Sequence, residues 1–150
     1  MQKLPSSASV MRDIAYVALG SNLADREAFL AAGREGINAL PDTRIVAMTP
    51  VEETEPFGVP GQPSYLNQMV AVETSLSPRA MLDALLGIEH AAGRVRRERW
   101  GPRTLDLDIV KFEAQAVSEP GLQVPHPGLQ DREFWQRQLA LLSTNLTADR

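Results

Sequence analysis

The stretch GRVRRERWGPRTLDLDIVKF, Gly93 to Phe112, decides how this chain folds. Its second half reads as a β-strand from Leu105 to Phe112. Side chains alternate along a strand, so Asp106 and Asp108 share one face while Leu105, Leu107 and Ile109 take the other. Its first half packs five arginines (Arg94, Arg96, Arg97, Arg99, Arg103) and Trp100 into a loop. Upstream, Ser77-Pro78 supplies an N-cap and first turn for a helix whose apolar stripe is Met81, Leu85, Ile88 and Ala92, with Gly93 at its C-cap. The helix follows a strand, Tyr65 to Thr74, with Leu66, Val70 and Val72 on one face and Tyr65, Asn67, Met69 and Ala71 on the other.

The rest falls into place around that core. Residues 55–64 (EPFGVPGQPS) hold three prolines and two glycines and read as a loop. Ile45 to Thr54 reads as a strand. A helix runs from an Asp25 N-cap to Leu40, with Leu30, Gly33, Ile37 and Leu40 on one face and Pro41 as its stop. Ile14 to Leu19 is a buried strand ended by Gly20-Ser21-Asn22, a turn composition. The order is β-α-β-β-α-β, the pattern of a ferredoxin-like α+β sandwich in which helices cover one face of an antiparallel sheet. C-terminal additions follow: a stiff turn at Val124-Pro125-His126-Pro127, then Trp135, Leu139, Leu142 and Leu146 at helical spacing.

Composition narrows the function. The 150 residues are 43% hydrophobic and 23% charged, ordinary for one soluble domain spanning 1–150, with residues 1–12 a loose leader. There is no cysteine, which removes disulfide and thiol chemistry. No signal peptide and no run of transmembrane length is visible, so the expectation is a cytoplasmic protein with no membrane partner. The net charge of −4 argues against a nucleic-acid binder held by phosphate contacts. Residues 94–103 nevertheless contribute +4, and the rest of the chain −8. A local basic loop on an acidic body suits a small anionic ligand.

Two carboxylates one strand repeat apart, about 7 Å, can converge on a pair of divalent ions. Magnesium takes oxygen ligands and lets substrate phosphates complete its shell, so an arginine loop feeding such a strand points to a polyphosphate. Each feature alone has a plainer reading. An Asp-x-Asp alone is more often two solvated carboxylates, and arginines equally form a solvated loop. His126 between prolines is, on its own, more often a structural turn residue than a ligand. Tyr65 and Phe57 serve equally well as packing residues, and Asn67 as a solvent-facing amide. No G-x-x-x-x-G-K-[ST] phosphate loop occurs.

Taken together, the motifs resemble one family. VALGSNL (17–23), Thr54-Glu55-Pro56 with Phe57-Gly58, QPSYLNQMVAVET (62–74), Ile88-Glu89, GRVRRERWGPRTLDLDIV (93–110) and VPHP with Arg132 and Phe134 resemble 6-hydroxymethyl-7,8-dihydropterin pyrophosphokinase, an enzyme of folate biosynthesis. The resemblance implies transfer of the β,γ-pyrophosphoryl group of ATP to the pterin hydroxymethyl oxygen, releasing AMP. It implies two Mg²⁺ ions held by Asp106 and Asp108, with Arg94 and Arg103 on the phosphates. Glu89, Arg96, Arg99, Trp100, Ile109 and His126 would complete the ATP site. Thr54, Phe57, Tyr65, Asn67, Trp100, Arg132 and Phe134 would surround the pterin. The substrates are then two small molecules, and the expected state is a monomer.

Two places depart from the family pattern. Trp135-Gln136-Arg137-Gln138 replaces an apolar segment after the Arg-x-Phe position, and family members generally continue past this chain's end. Glu52 stands where an aromatic residue is common. A non-catalytic paralogue that binds pterin or nucleotide is the alternative. A ferredoxin-like regulatory or RNA-binding module is the other, but no Lys/Arg-Gly-aromatic strand motif supports RNA.

Overall fold

A computed structural model describes residues 12–22, 25–54, 64–94 and 105–148. It is a mixed α/β fold built on an antiparallel sheet. The strands are β1 (Asp13–Ser21), β2 (Thr43–Met48), β3 (Glu52–Thr54), β4 (Tyr65–Thr74) and β5 (Asp106–Phe112). They lie in the order β2-β4-β1-β5, with β3 also paired to β4. Helices α1 (Arg26–Asn38) and α2 (Pro78–Glu89) cover one face, and α3 (Glu133–Ala148) packs on the other. A hairpin of β6 (Val117–Glu119) and β7 (Leu122–Val124) precedes α3.

Local chemistry sets the helix starts as expected. Asp25 accepts from the Ala28 amide at 3.1 Å, and Ser77 from the Ala80 amide at 3.1 Å. The two glycines of α1 run against helix propensity, and close packing explains them. A Cβ on Gly33 would stand 3.0 Å from Leu19 Cδ2, and one on Gly36 would stand 2.9 Å from Ile88 Cγ2. Both let α1 settle onto the sheet and onto α2. That burial, with Leu30, Ile37, Met81 and Leu85 fully inside, is worth about 1.5–3 kcal/mol per large side chain. α2 ends at Glu89, and a wider turn, His90–Arg94, reverses the chain at Gly93 with φ of +111°. Only glycine takes that conformation without strain.

Three strand expectations needed correction. Gly20 and Ser21 do not turn: they continue β1 and pair with Asn67 and Leu66. The strand expected over Ile45 to Thr54 is two strands. Pro50 has no N–H to give, and Thr49 is tied off instead, its amide donating to Met69 O and its Oγ1 accepting from the Met69 amide. In β5, Tyr16 pairs with Lys111 but Val17 with Ile109, so Val110 is an extra, bulged residue. The bulge shifts the period, returning Phe112 to the core with Leu107 and Ile109 while Val110 packs toward α3.

The α3 face has its own core. Trp135 and Leu142 pack on Tyr16, Ala18, Met69, Ala71 and Val110. Tyr16 is 2% exposed and donates through its hydroxyl to Glu113 Oε1 at 2.8 Å. Burial, reinforced by that carboxylate, pushes the Tyr16 phenol up to about 12. Because the unfolded phenol ionises near 10, the folded state holds the extra proton between those values. Tyr16 therefore makes stability fall as pH rises from about 10 to about 12, by up to about 1.4 kcal/mol per unit. Urea unfolding across that window should show a shallower decline in Tyr16→Phe. Equal slopes in both proteins would remove the phenol from the account.

Candidate active site

The register of the sheet assembles the site. Asp106 pairs with Gly20, Gly20 with Asn67, and Asn67 with Glu52, a single row across β5, β1, β4 and β3. Directly paired residues of antiparallel strands project to the same face. Asp108 pairs with Ala18, which belongs to the α3-side core. Both aspartates therefore stand on the α3 side of the sheet, as the alternation predicts. Two strand spacings, about 9.5 Å, separate the Asp106 and Asn67 backbones. Between them Gly20 carries no side chain, and a Cβ there would lie 3.4 Å from Asn67 Oδ1 and 3.7 Å from Tyr65 Cδ1. Gly20 thus puts bare main chain, with no side chain, between a carboxylate pair and an amide. The sequence reading had taken it for a turn residue.

At the far end of the row, Asn67 is buried and its Nδ2 donates to Thr54 Oγ1. Thr54 pairs with Tyr65, so three of the residues expected around a pterin share one corner. Carboxylate-side order comes from two neighbours of β5, which is a sheet edge among the described residues. Glu89 of α2, 4% exposed, accepts from the Leu107 amide at 2.7 Å, between the two aspartates. The His126 amide donates to Val110 O at 2.8 Å. Edge groups that would otherwise lack partners are satisfied by side chain and loop.

His126 is oriented tightly. Its Nδ1 accepts from the Gly128 amide at 2.9 Å, which places the proton of the neutral ring on Nε2. Nε2 faces Asp108 Oδ1 at 3.8 Å, too long for a direct hydrogen bond. Burial lowers the His126 pKa below the usual imidazole value; Asp108 pulls it up and Arg132 pushes it further down. The ring meets Trp135 edge-on at 5.0 Å, and the Arg132 guanidinium lies 4.4 Å from the Trp135 ring centroid. Phe134 packs at 6.3 Å from the same ring. Arg132, Phe134 and His126 thus gather around Trp135, with His126 facing Asp108.

Other expected residues fall elsewhere. The Ile109 side chain is in the α1/α2 core, opposite the aspartates. Arg94 ends the turn after α2. Phe57, Arg96, Arg97, Arg99, Trp100 and Arg103 lie outside the described residues. Among the described residues, Ser21 Oγ, both side-chain polar atoms of Asn22, and Gln138 Oε1 are buried without a hydrogen-bond partner.

The sequence reading gave no part to two pairs beside the row. Arg137 Nη1 and Gln138 Nε2 both donate to Glu52 Oε2, at 3.1 and 3.0 Å. Arg26 Nη1 donates to Glu53 Oε2 at 3.0 Å and to Ser64 O at 2.8 Å. Glu52 and the segment 135–138, the two places where the sequence reading expected departures from the family pattern, are therefore in contact with each other. That coincidence of departures was the one signal available in the sequence.

The chain matches the model of the family described as 7,8-dihydro-6-hydroxymethylpterin-pyrophosphokinase over residues 16–144. It is similar to proteins named 2-amino-4-hydroxy-6-hydroxymethyldihydropteridine pyrophosphokinase from three bacteria. The Pseudomonas aeruginosa protein is 47% identical, over 87% of this chain and 81% of its own. The Methylorubrum extorquens protein is 41% identical, over 88% and 84%. The Bacillus subtilis protein is 42% identical, over 87% and 78%. A solved dinuclear metal-binding peptidase of Bacillus subtilis aligns with a TM-score of 0.37 at 14% identity, over 66% of this chain and 26% of that one, too loosely to bear on fold or function. By the family match and these identities, the chain belongs to the 7,8-dihydro-6-hydroxymethylpterin-pyrophosphokinase family.

Proposed function

We propose that this protein transfers the β,γ-pyrophosphoryl group of ATP to the hydroxymethyl oxygen of 6-hydroxymethyl-7,8-dihydropterin, releasing AMP. The observation that carries the reading is the row Asp106–Gly20–Asn67. It sets a carboxylate pair at one end, a buried amide at the other, and a residue without a side chain between, in a chain of this family. The pterin would sit with its polar edge at Asn67 and Thr54 and its hydroxymethyl group over Gly20. Tyr65, Phe134, Phe57 and Trp100 are proposed to stack on its rings, with Arg132 beside them.

Transfer of this kind depends on positioning and on stabilising charge. The oxygen–phosphorus bond forms at the β-phosphorus while the bond to the α-phosphate oxygen breaks. The donor set fits magnesium: two carboxylates share a strand face, Asp108 being 43% exposed at its side chain. Among the described residues no group of three or more His, Cys, Asp or Glu gathers that could hold a metal, so further ligands would come from ATP phosphates and water. Two Mg²⁺ ions bound there would neutralise phosphate charge. Arg94 and Arg103 are proposed to meet the phosphates directly, and Arg96, Arg99 and Trp100 to complete the nucleotide site. His126 would present its Nε2–H toward the phosphate side of Asp108. Any contact from Ile109 would be made by its main chain.

The same reading takes the order β2-β4-β1-β5 as the ferredoxin-like arrangement, extended by β6, β7 and α3. It treats residues 1–150 as one domain acting as a monomer on small molecules in the cytoplasm, without nucleic acid. No helix among the described residues is long and apolar enough to cross a membrane. The test incubates the protein with ATP, Mg²⁺ and the reduced pterin and resolves AMP from ADP. Pterin-dependent AMP is the expected product. Release of ADP, or no pterin-dependent turnover, would overturn the assignment.

A further inference from the structure

β3 is three residues long, preceded by Pro50, and among the described residues is hydrogen-bonded within the sheet only to β4. Pairing of that length is weak on its own. Its adjacent glutamates point to opposite faces, and each meets an arginine from a different helix. On the α3 side, Glu52 Oε2 receives Arg137 Nη1 and Gln138 Nε2. On the other side, Glu53 Oε2 receives Arg26 Nη1 and Ser64 Oγ. The next residue, Thr54, shares the Glu52 face and takes the Asn67 amide hydrogen bond.

We propose that this two-sided brace makes Glu52 and Arg137 positioning residues for the pterin, holding β3 so that Thr54 stays against Asn67. The inference rests on the pterin-site reading above and goes beyond it, because neither residue is placed in contact with substrate. Gln138 supplies a second argument. A carboxylate accepts but does not donate, so contact with Glu52 fixes the amide with Nε2 toward Glu52. Oε1 is then left buried and unpartnered among the described residues, at a helix position 2% exposed. A leucine there would avoid that cost, yet the chain keeps an amide aimed at Glu52. Exposed ion pairs contribute little to stability, so a purely structural brace would be nearly silent when removed.

The test uses charge reversal and steady-state kinetics with each substrate varied. Glu52→Arg and Arg137→Glu should each raise the pterin KM by about tenfold or more, as misplacement of a substrate-binding group does, with little change in the KM for ATP. The double variant Glu52→Arg/Arg137→Glu should recover to within about threefold of the parent. The reversed pair can still form, and a flip of the Gln138 amide gives the introduced guanidinium an acceptor in Oε1. Should a reversal variant fail to fold, Glu52→Gln and Arg137→Gln provide milder versions of the same comparison. An unchanged pterin KM in folded variants, or equal rises for both substrates, would overturn the brace. Wild-type AMP formation in the same assay separates that failure from a failure of the pyrophosphokinase reading, which would show no pterin-dependent turnover at all.

Discussion

Asp106→Asn and Asp108→Asn should each lower pyrophosphoryl transfer by at least roughly 10²–10³-fold, the scale of removing a positioned electrostatic group, while the fold persists. Asparagine keeps the volume and the strand conformation but loses the charge that holds a divalent ion. Both side chains project from the α3 face of β5, and the core face of that strand is carried by Leu107, Ile109 and Phe112. The apolar core is therefore untouched, and each variant should still unfold cooperatively. The measurements are turnover against Mg²⁺ concentration and thermal unfolding of each variant. Near-normal Mg²⁺-dependent turnover in either would remove that carboxylate from the metal assignment. Loss of activity together with loss of the folded state would show a structural role instead.

Why the aspartates were legible in the sequence, and other parts were not, follows from the range of each signal. Period-two alternation over Leu105–Ile109 fixes which side chains share a face. It breaks after Val110, which still shares the aspartates' face, because a bulge is set by pairing with Tyr16 and Val17, almost a hundred residues upstream. Ser77-Pro78 was readable because an N-cap acts within three residues, and the Ser77 hydroxyl indeed meets the Ala80 amide. Gly20-Ser21 has the composition of a turn, but pairing with Asn67 and Leu66 overrides local preference. The β6–β7 hairpin, with three residues per strand, is too short to show a period. The brace at β3 joins residues 85 apart, Glu52 and Arg137, and no local pattern announces such a pair.

The candidate site divides in the same way. Asn67, Thr54 and Tyr65 were expected together from the resemblance, and register puts them in one corner. Their geometry depends on β3, a strand the sequence reading merged into its neighbour. Glu89 is the clearest case of a residue whose position is more informative than its type. It was expected at the nucleotide, and the structure ties it to the main chain of β5 between the two aspartates.

That bond leads to the second large effect. Glu89→Ala should cut kcat by roughly 10²-fold, the penalty for a small misplacement of reacting groups, and should cost about 1–3 kcal/mol of stability, because the buried Leu107 amide loses this acceptor. Among the described residues β5 is a sheet edge, with no further strand beside it to take over the hydrogen bond. Leu107 lies one residue from each aspartate, and a shift of its amide carries both carboxylates with it. Glu89→Gln separates the alternatives. Its side-chain oxygen can still accept from Leu107, so a strand-holding role predicts kcat within about tenfold of the parent, with an increased Mg²⁺ requirement in the Ala variant only. A direct role at ATP predicts instead that loss of the negative charge raises the KM for ATP equally in Gln and Ala variants. Kinetics are read well below the unfolding midpoint of each variant, so that a less stable protein is not mistaken for a slower one. If Glu89→Ala folds and turns over at the parental kcat, the bond to Leu107 does not position the aspartates, and Glu89 serves α2 packing alone.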